Sequence, residues 1–89
     1  MKKAAELGDA ESQYFVGLMY QDGLGAIQSP TQAYVWFSIA TAGGLLDKKD
    51  GEDAMARRDQ MAATLTPDQL RDARREARKL LDKIERRKK

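Results

Sequence analysis

Helix punctuation constrains this chain more than any other feature. Ser29-Pro30-Thr31-Gln32 and Thr66-Pro67-Asp68-Gln69 follow one grammar. A hydroxyl residue stands at the N-cap, a proline at the first helical position, and a glutamine can reach back to the cap. Glycines supply the stops: Gly8 after Ala4-Ala5-Glu6-Leu7, Gly23 and Gly25 after Gln21, and Gly43-Gly44 after Ala42. Between these marks the sequence predicts the last turns of a helix ending at Gly8, then a helix from Ala10 to Gln21 capped by Asp9. A second helix is expected up to Ala42. A charged connection from Leu45 to Asp50 leads to a third helix over Gly51 to Thr64, and a long last helix opens at the Thr66 box. No stretch alternates polar and apolar residues over a strand length, so the expected class is all-α.

Each helix has its own burial pattern. In the first, Ala10, Tyr14 and Leu18 share a face, flanked by Phe15 and Met19. Gly17 sits in mid-helix, where glycine costs about 1 kcal/mol relative to alanine; it suits a close approach of the second helix through Ala33 or Trp36. The second helix has a core stripe of Ala33, Trp36, Phe37 and Ala40. Tyr34, Val35 and Ile39 lie on its other sides, and a helix apolar around most of its circumference needs more than one neighbour. The third is expected to bury Ala54, Met55, Arg58, Met61, Ala62 and Leu65. In the last, Leu70, Ala73, Ala77, Leu80 (with Leu81) and Ile84 recur in steps of three and four. That is a packing seam, expected to lie on the third helix. Residues 85–89 are Glu-Arg-Arg-Lys-Lys, without an apolar side chain, and are expected to fray.

Composition removes whole classes of chemistry. With 89 residues the chain makes one small domain. It has no cysteine and no histidine, so a disulfide framework, a thiolate site and the commonest zinc ligand and general base are all excluded. Asp47, Asp50, Glu52 and Asp53 lack the spacing of a calcium loop and read as a solvated connection. Gly23-Leu24-Gly25 lacks the strand and the Lys-Ser/Thr pair of a phosphate loop. The expectation is a module without catalytic activity, metal or cofactor. The longest uncharged run, Gly23 to Leu46, is broken by Gly25, Pro30, Gly43 and Gly44 and does not read as a membrane span. Glu6 and Asp9 interrupt any signal-peptide apolar region after Lys2-Lys3, so the expected location is the cytoplasm.

Charge is divided unevenly. Residues 71–89 hold ten Lys/Arg against four Asp/Glu, whereas residues 1–70 hold six against ten. A basic helix of this kind can meet an acidic partner or a nucleic acid. The interspersed Asp72, Glu76, Asp82 and Glu85 dilute the field and argue against a dedicated phosphate track.

The repeated helix tail, Ala4-Ala5-Glu6-Leu7-Gly8 against Ala40-Thr41-Ala42-Gly43-Gly44, points to a solenoid of helix pairs. Ala4-Ala5, Gly8-Asp9-Ala10, Gln13, Gly17, Met19-Tyr20, Gly23, Gly25, Ala33 and Trp36 together resemble the Sel1-like repeat, a relative of the tetratricopeptide repeat with bacterial and eukaryotic members. The tetratricopeptide repeat itself is the near alternative, because Gly17 and Tyr20 fit its G-x-x-Y spacing. The loop Asp22-Gly23-Leu24-Gly25-Ala26-Ile27 is longer than that repeat takes, which favours the Sel1-like reading. The resemblance implies an α-solenoid of about four helices that serves as a scaffold or adaptor for other proteins. One helical-repeat domain would span 1–84, with 1–8 the tail of a preceding repeat helix, 9–44 one full repeat and 45–84 a degenerate repeat with its capping helix. Residues 85–89 would form a basic tail. Candidate contact residues are Tyr34, Val35 and Ile39, as outward apolar side chains, with Arg71, Arg75 and Arg78 on the last helix. The partner is expected to be another protein or, through the uncovered sides of the second helix, a second copy in a homodimer.

Overall fold

Both start boxes form, and they form differently. Around Thr66 the exchange is reciprocal: Gln69 N donates to Thr66 Oγ1 at 3.1 Å, and Thr66 N donates to Gln69 Oε1 at 3.0 Å. At Ser29 only half of the box closes, Gln32 N donating to Ser29 Oγ at 3.2 Å. The Ser29 N–H goes instead to the Tyr20 carbonyl at 2.9 Å, and the Gln32 amide reaches Glu76 Oε1 at 3.1 Å. The computed structural model describes residues 2–25, 27–42 and 46–88. Among them the chain forms five helices and no strand: α1 (Lys2–Glu6), α2 (Ala10–Asp22), α3 (Pro30–Ala42), α4 (Lys48–Thr64) and α5 (Pro67–Lys88). The Gly43-Gly44 stop expected after α3 lies outside the described residues.

The stop at Gly23 follows from its backbone. Its φ of 74° is left-handed, a conformation that glycine adopts without a Cβ penalty. Gly23 N and Leu24 N both donate to the Met19 carbonyl, at 2.8 and 3.0 Å, satisfying an acceptor that the helix end would otherwise leave open. At the other end of α2, Asp9 is the N-cap residue but its carboxylate accepts from Ser12 Oγ rather than from a backbone N–H.

α4 starts earlier than expected, at Lys48. Asp47 is its cap, accepting from Asp50 N at 2.8 Å, and so Lys48 to Asp50 of the expected connection are helical. At the other end of the chain, α5 continues to Lys88, past the buried Ile84 and the exposed Glu85 and Arg86. Asp82 and Arg86, 3.3 Å apart, bridge one of its last turns.

Helix α3 is the centre of the molecule. It packs against α2, α4 and α5, and α1 rests on α2. This explains why α3 is apolar all round: Ala33, Tyr34, Val35, Trp36, Phe37, Ile39 and Ala40 are all buried. Two clusters form around it. One joins Ala33 and Phe37 to Ala54 of α4. The other joins Tyr34, Val35, Trp36 and Ile39 to Ala73, Ala77 and Ile84 of α5, with Ala5 of α1 and Val16 of α2. The expected placement of the α5 seam on the helix before it is therefore corrected: α5 lies on α3. The physical reason is the surface each offers. Among the described α4 residues only Ala54 is fully buried, whereas α3 presents bulky apolar side chains on every side.

Gly17 confirms close packing with a different partner from the one expected. A Cβ at that position would fall 2.7 Å from Cδ1 and Cε1 of Phe37, so it is the Phe37 ring that occupies the space the glycine leaves. Phe15 and Met55, expected to flank or join the core, are about half exposed. Gln13 takes a core place instead and donates from Nε2 to the Ala5 carbonyl at 3.0 Å, satisfying a polar atom that burial would otherwise strand.

Candidate interaction face

Three of the expected contact residues are not on the surface. Tyr34 is 8% exposed, Val35 0% and Ile39 2%; α5 covers the side of α3 on which they were expected to project. That outward placement is corrected, and with it the expectation of an uncovered α3 face that would drive a homodimer. What α5 covers on one side it replaces on the other. With 3.6 residues per turn, the buried Ala73, Ala77 and Ile84 set the inner face, and Arg75, Arg78, Lys79, Asp82 and Arg86 fall roughly opposite. All five are exposed.

The charges on this outer face are not equivalent. Near its start, Arg71 is shared between Asp68 and Asp72, at 3.7 and 3.8 Å. Towards its end, Arg86 pairs with Asp82. Glu76 is turned to Gln32 of α3. Between these, Arg74, Arg75, Arg78 and Lys79 form no ion pair among the described residues. Arg74, Arg75 and Arg78 together line one shallow cleft, and Asp72, Arg75, Glu76 and Lys79 another. Of the expected basic contacts, then, Arg75 and Arg78 stand unpaired while Arg71 is partly neutralised. Arg74 and Lys79, not among the expected contacts, stand exposed beside them at i, i+4 spacing to Arg78 and Arg75.

A second polar cluster ties α2 to α4. The Tyr14 hydroxyl donates to Asp53, whose Oδ2 also accepts from Arg57 Nε at 2.7 Å, and Arg57 Nη1 donates to Gln21 Oε1 at 3.0 Å. The Tyr14 hydroxyl and the Arg57 guanidinium hold the Asp53 carboxyl below its usual range. Burial, then the hydrogen bond to Asp53, pushes the Tyr14 phenol above its ordinary value. The Asp53 hydrogen bond raises Arg57 in turn. The Tyr14 ring also packs 6.1 Å from that of Phe37, so the cluster reads as a fastening between helices rather than as acid–base machinery. Among the described residues no group of three acidic side chains is placed to hold a metal ion.

The architecture now has a helix pair, α2 and α3, preceded by the end of another helix and followed by two further helices. The Sel1 repeat family model matches residues 1–9 and 10–45, just over half of the chain. The chain belongs to the Sel1 repeat family. The second match covers α2 and α3, the first covers α1, and α4 and α5 lie beyond both. Sel1 repeats generally mediate protein–protein interaction and are typically not catalytic. No solved structure matches the chain. No described helix is long and apolar enough to cross a membrane. The face built by α5 thus lies beyond the matched residues, on an apolar side of α3.

Proposed function

We propose that this Sel1 repeat chain is a protein-interaction scaffold or adaptor without catalytic activity, and that it meets its partner with the outer face of α5. One observation carries the reading. The apolar sides of α3 are consumed within the chain, while Arg75 and Arg78, with Arg71 at their edge, stand exposed on the added helix. Docking through such a face favours specificity and fast association over high affinity. The cysteine-free sequence suits the reducing environment of the cytoplasm.

Site-specific photocrosslinking tests the reading. A photoreactive residue in place of Asp82, on the outer face of α5, should give discrete protein adducts in cells, and one in place of exposed Ala63 on α4 should not. The Asp82 adducts should disappear in the Arg75→Glu/Arg78→Glu variant. Equal adducts at both positions, or nucleic-acid adducts at position 82, would overturn it.

A further inference from the structure

Resting on the reading of the α5 outer face as the docking surface, we infer that its occupant is a short acidic protein segment carrying carboxylates at alternate positions of an extended chain. The patch of Arg74, Arg75, Arg78 and Lys79 is compact. Along a helix axis rising 1.5 Å per residue, Arg74 and Arg78 are about 6 Å apart, as are Arg75 and Lys79. Alternate side chains on one face of an extended peptide are separated by about 6.6 Å. An Asp-x-Asp or Glu-x-Glu segment laid along α5 therefore brings successive carboxylates to successive cations, with arginine able to bind each bidentately.

The boundaries of the patch decide against a long polyanion. Before it, Arg71 is already shared by Asp68 and Asp72; after it, Arg86 is held by Asp82. A nucleic acid running along the helix would meet Asp68, Asp72 and Asp82 on this face, whereas a peptide with two or three acidic side chains seated on Arg74, Arg75 and Arg78 meets none of them; Asp72 and Glu76 line the neighbouring cleft with Lys79. The cleft of Arg74, Arg75 and Arg78 holds cations and no carboxylate; the ion-paired Arg71 lies before it, and the Asp82–Arg86 pair follows after the exposed Lys79 and Lys83. Exposed charge pairs are individually weak and screened by salt, so the contact is expected to be a micromolar, salt-sensitive one.

The test uses the full chain at about 50 mM salt, followed by two-dimensional NMR of backbone and arginine Nε–H signals. The probes are an eight-residue peptide alternating Asp and Ser, a peptide of the same composition with its four Asp in one block, and a single-stranded oligonucleotide of equal charge. The alternating peptide should bind best and shift Arg74, Arg75 and Arg78. Arg75→Gln/Arg78→Gln should weaken it at least about tenfold and Arg71→Gln less than about twofold, with helicity unchanged because all three side chains are exposed. Tighter binding of the oligonucleotide, equal binding of the two peptides, equal losses in the Arg71 and Arg75/Arg78 variants, or no binding would each overturn the inference. If that happens while the Asp82 photoadducts persist and still require Arg75 and Arg78, the docking face stands and only its occupant is wrong. Loss of both removes the face itself.

Discussion

Helices α3 and α5 are fixed in place by opposite means. Helix α3 is touched from three directions, by α2, α4 and α5, and has almost no outer face. Helix α5 is nine residues longer, but of its side chains described only Ala73, Ala77 and Ile84 are buried, with Leu70, Leu80 and Leu81 half-covered beside them. A helix enclosed on three sides can leave its position only when the fold opens as a whole. One held along a single seam of small and half-buried residues can open by itself. The contrast also separates their roles: α3 holds the Sel1 repeat together, and α5 converts the repeat's apolar side into a charged one.

The largest expected effect lies in the packing of α3. Gly17→Leu puts a Cβ where the Phe37 ring already is, 2.7 Å from two of its carbons, and Phe37 is completely buried with nowhere to move. Overpacking of this kind costs about 1–3 kcal/mol or more, against a gain of just under 1 kcal/mol in helix propensity. A whole leucine side chain against that ring falls at the upper end of this range, so we expect a net loss of about 2 kcal/mol or more in urea denaturation, shared by every helix. Unchanged or raised stability would mean that α2 and α3 are not pressed together through this glycine.

A smaller effect, confined to α5, would sharpen the comparison. Leu80 is only partly buried in the seam, so Leu80→Ala should cost about 1–2 kcal/mol, below the range for fully enclosed leucines. Hydrogen exchange should quicken in α5 while the α3 amides keep their protection. Equal acceleration in both helices would show that they open together, and the distinction between enclosed and single-seam helices would fail.

These differences mark where the sequence stops being informative. The full circle of apolar residues on α3 states that several neighbours are needed, and the steps of three and four on α5 state that one face is buried. Neither pattern identifies the partner, because burial removes side chains from water in the same way whatever covers them. Hence Tyr34, Val35 and Ile39 read as outward and Leu70 to Ile84 as a seam on the wrong helix; each was the missing neighbour of the other. Gly17 announced a close approach but not Phe37. The Thr66 box was fully legible because its partners lie three residues apart. The Asp47 cap was hidden by Lys48 and Lys49, which oppose the helix dipole in the first turn, and by Gly51. Of the α2–α4 cluster, the Asp53–Arg57 pair was readable from its i, i+4 spacing; Tyr14, far away in sequence, was not.

The smallest expected effect concerns polar fastening, in which α4 and α5 also differ. Helix α5 reaches α3 through the Gln32–Glu76 hydrogen bond, whereas α4 is tied to α2 by the Tyr14–Asp53–Arg57–Gln21 cluster. Tyr14→Phe removes the hydroxyl from Asp53 and keeps the ring against Phe37. Because Asp53 and Arg57 are both partly exposed, the loss at neutral pH is expected to be about 0.5–1 kcal/mol. Its pH dependence is more diagnostic than its size. The folded carboxyl of Asp53 titrates below its ordinary value of 3.8, so the contribution is present above that value and is lost as pH falls through the folded one. The Tyr14 phenol titrates above its ordinary 10.0, so its contribution is full below that value and is lost as pH rises through the folded one. The stability difference between wild type and Tyr14→Phe should therefore be flat from about pH 5 to 9 and shrink on both sides, as read from urea midpoints at pH 3, 7 and 11. A difference that persists undiminished at pH 3 would mean that the hydroxyl stabilises the fold without Asp53. In that case α4 lacks the Tyr14 anchor and keeps only the Arg57–Gln21 hydrogen bond to α2, a single polar fastening like the Gln32–Glu76 bond of α5.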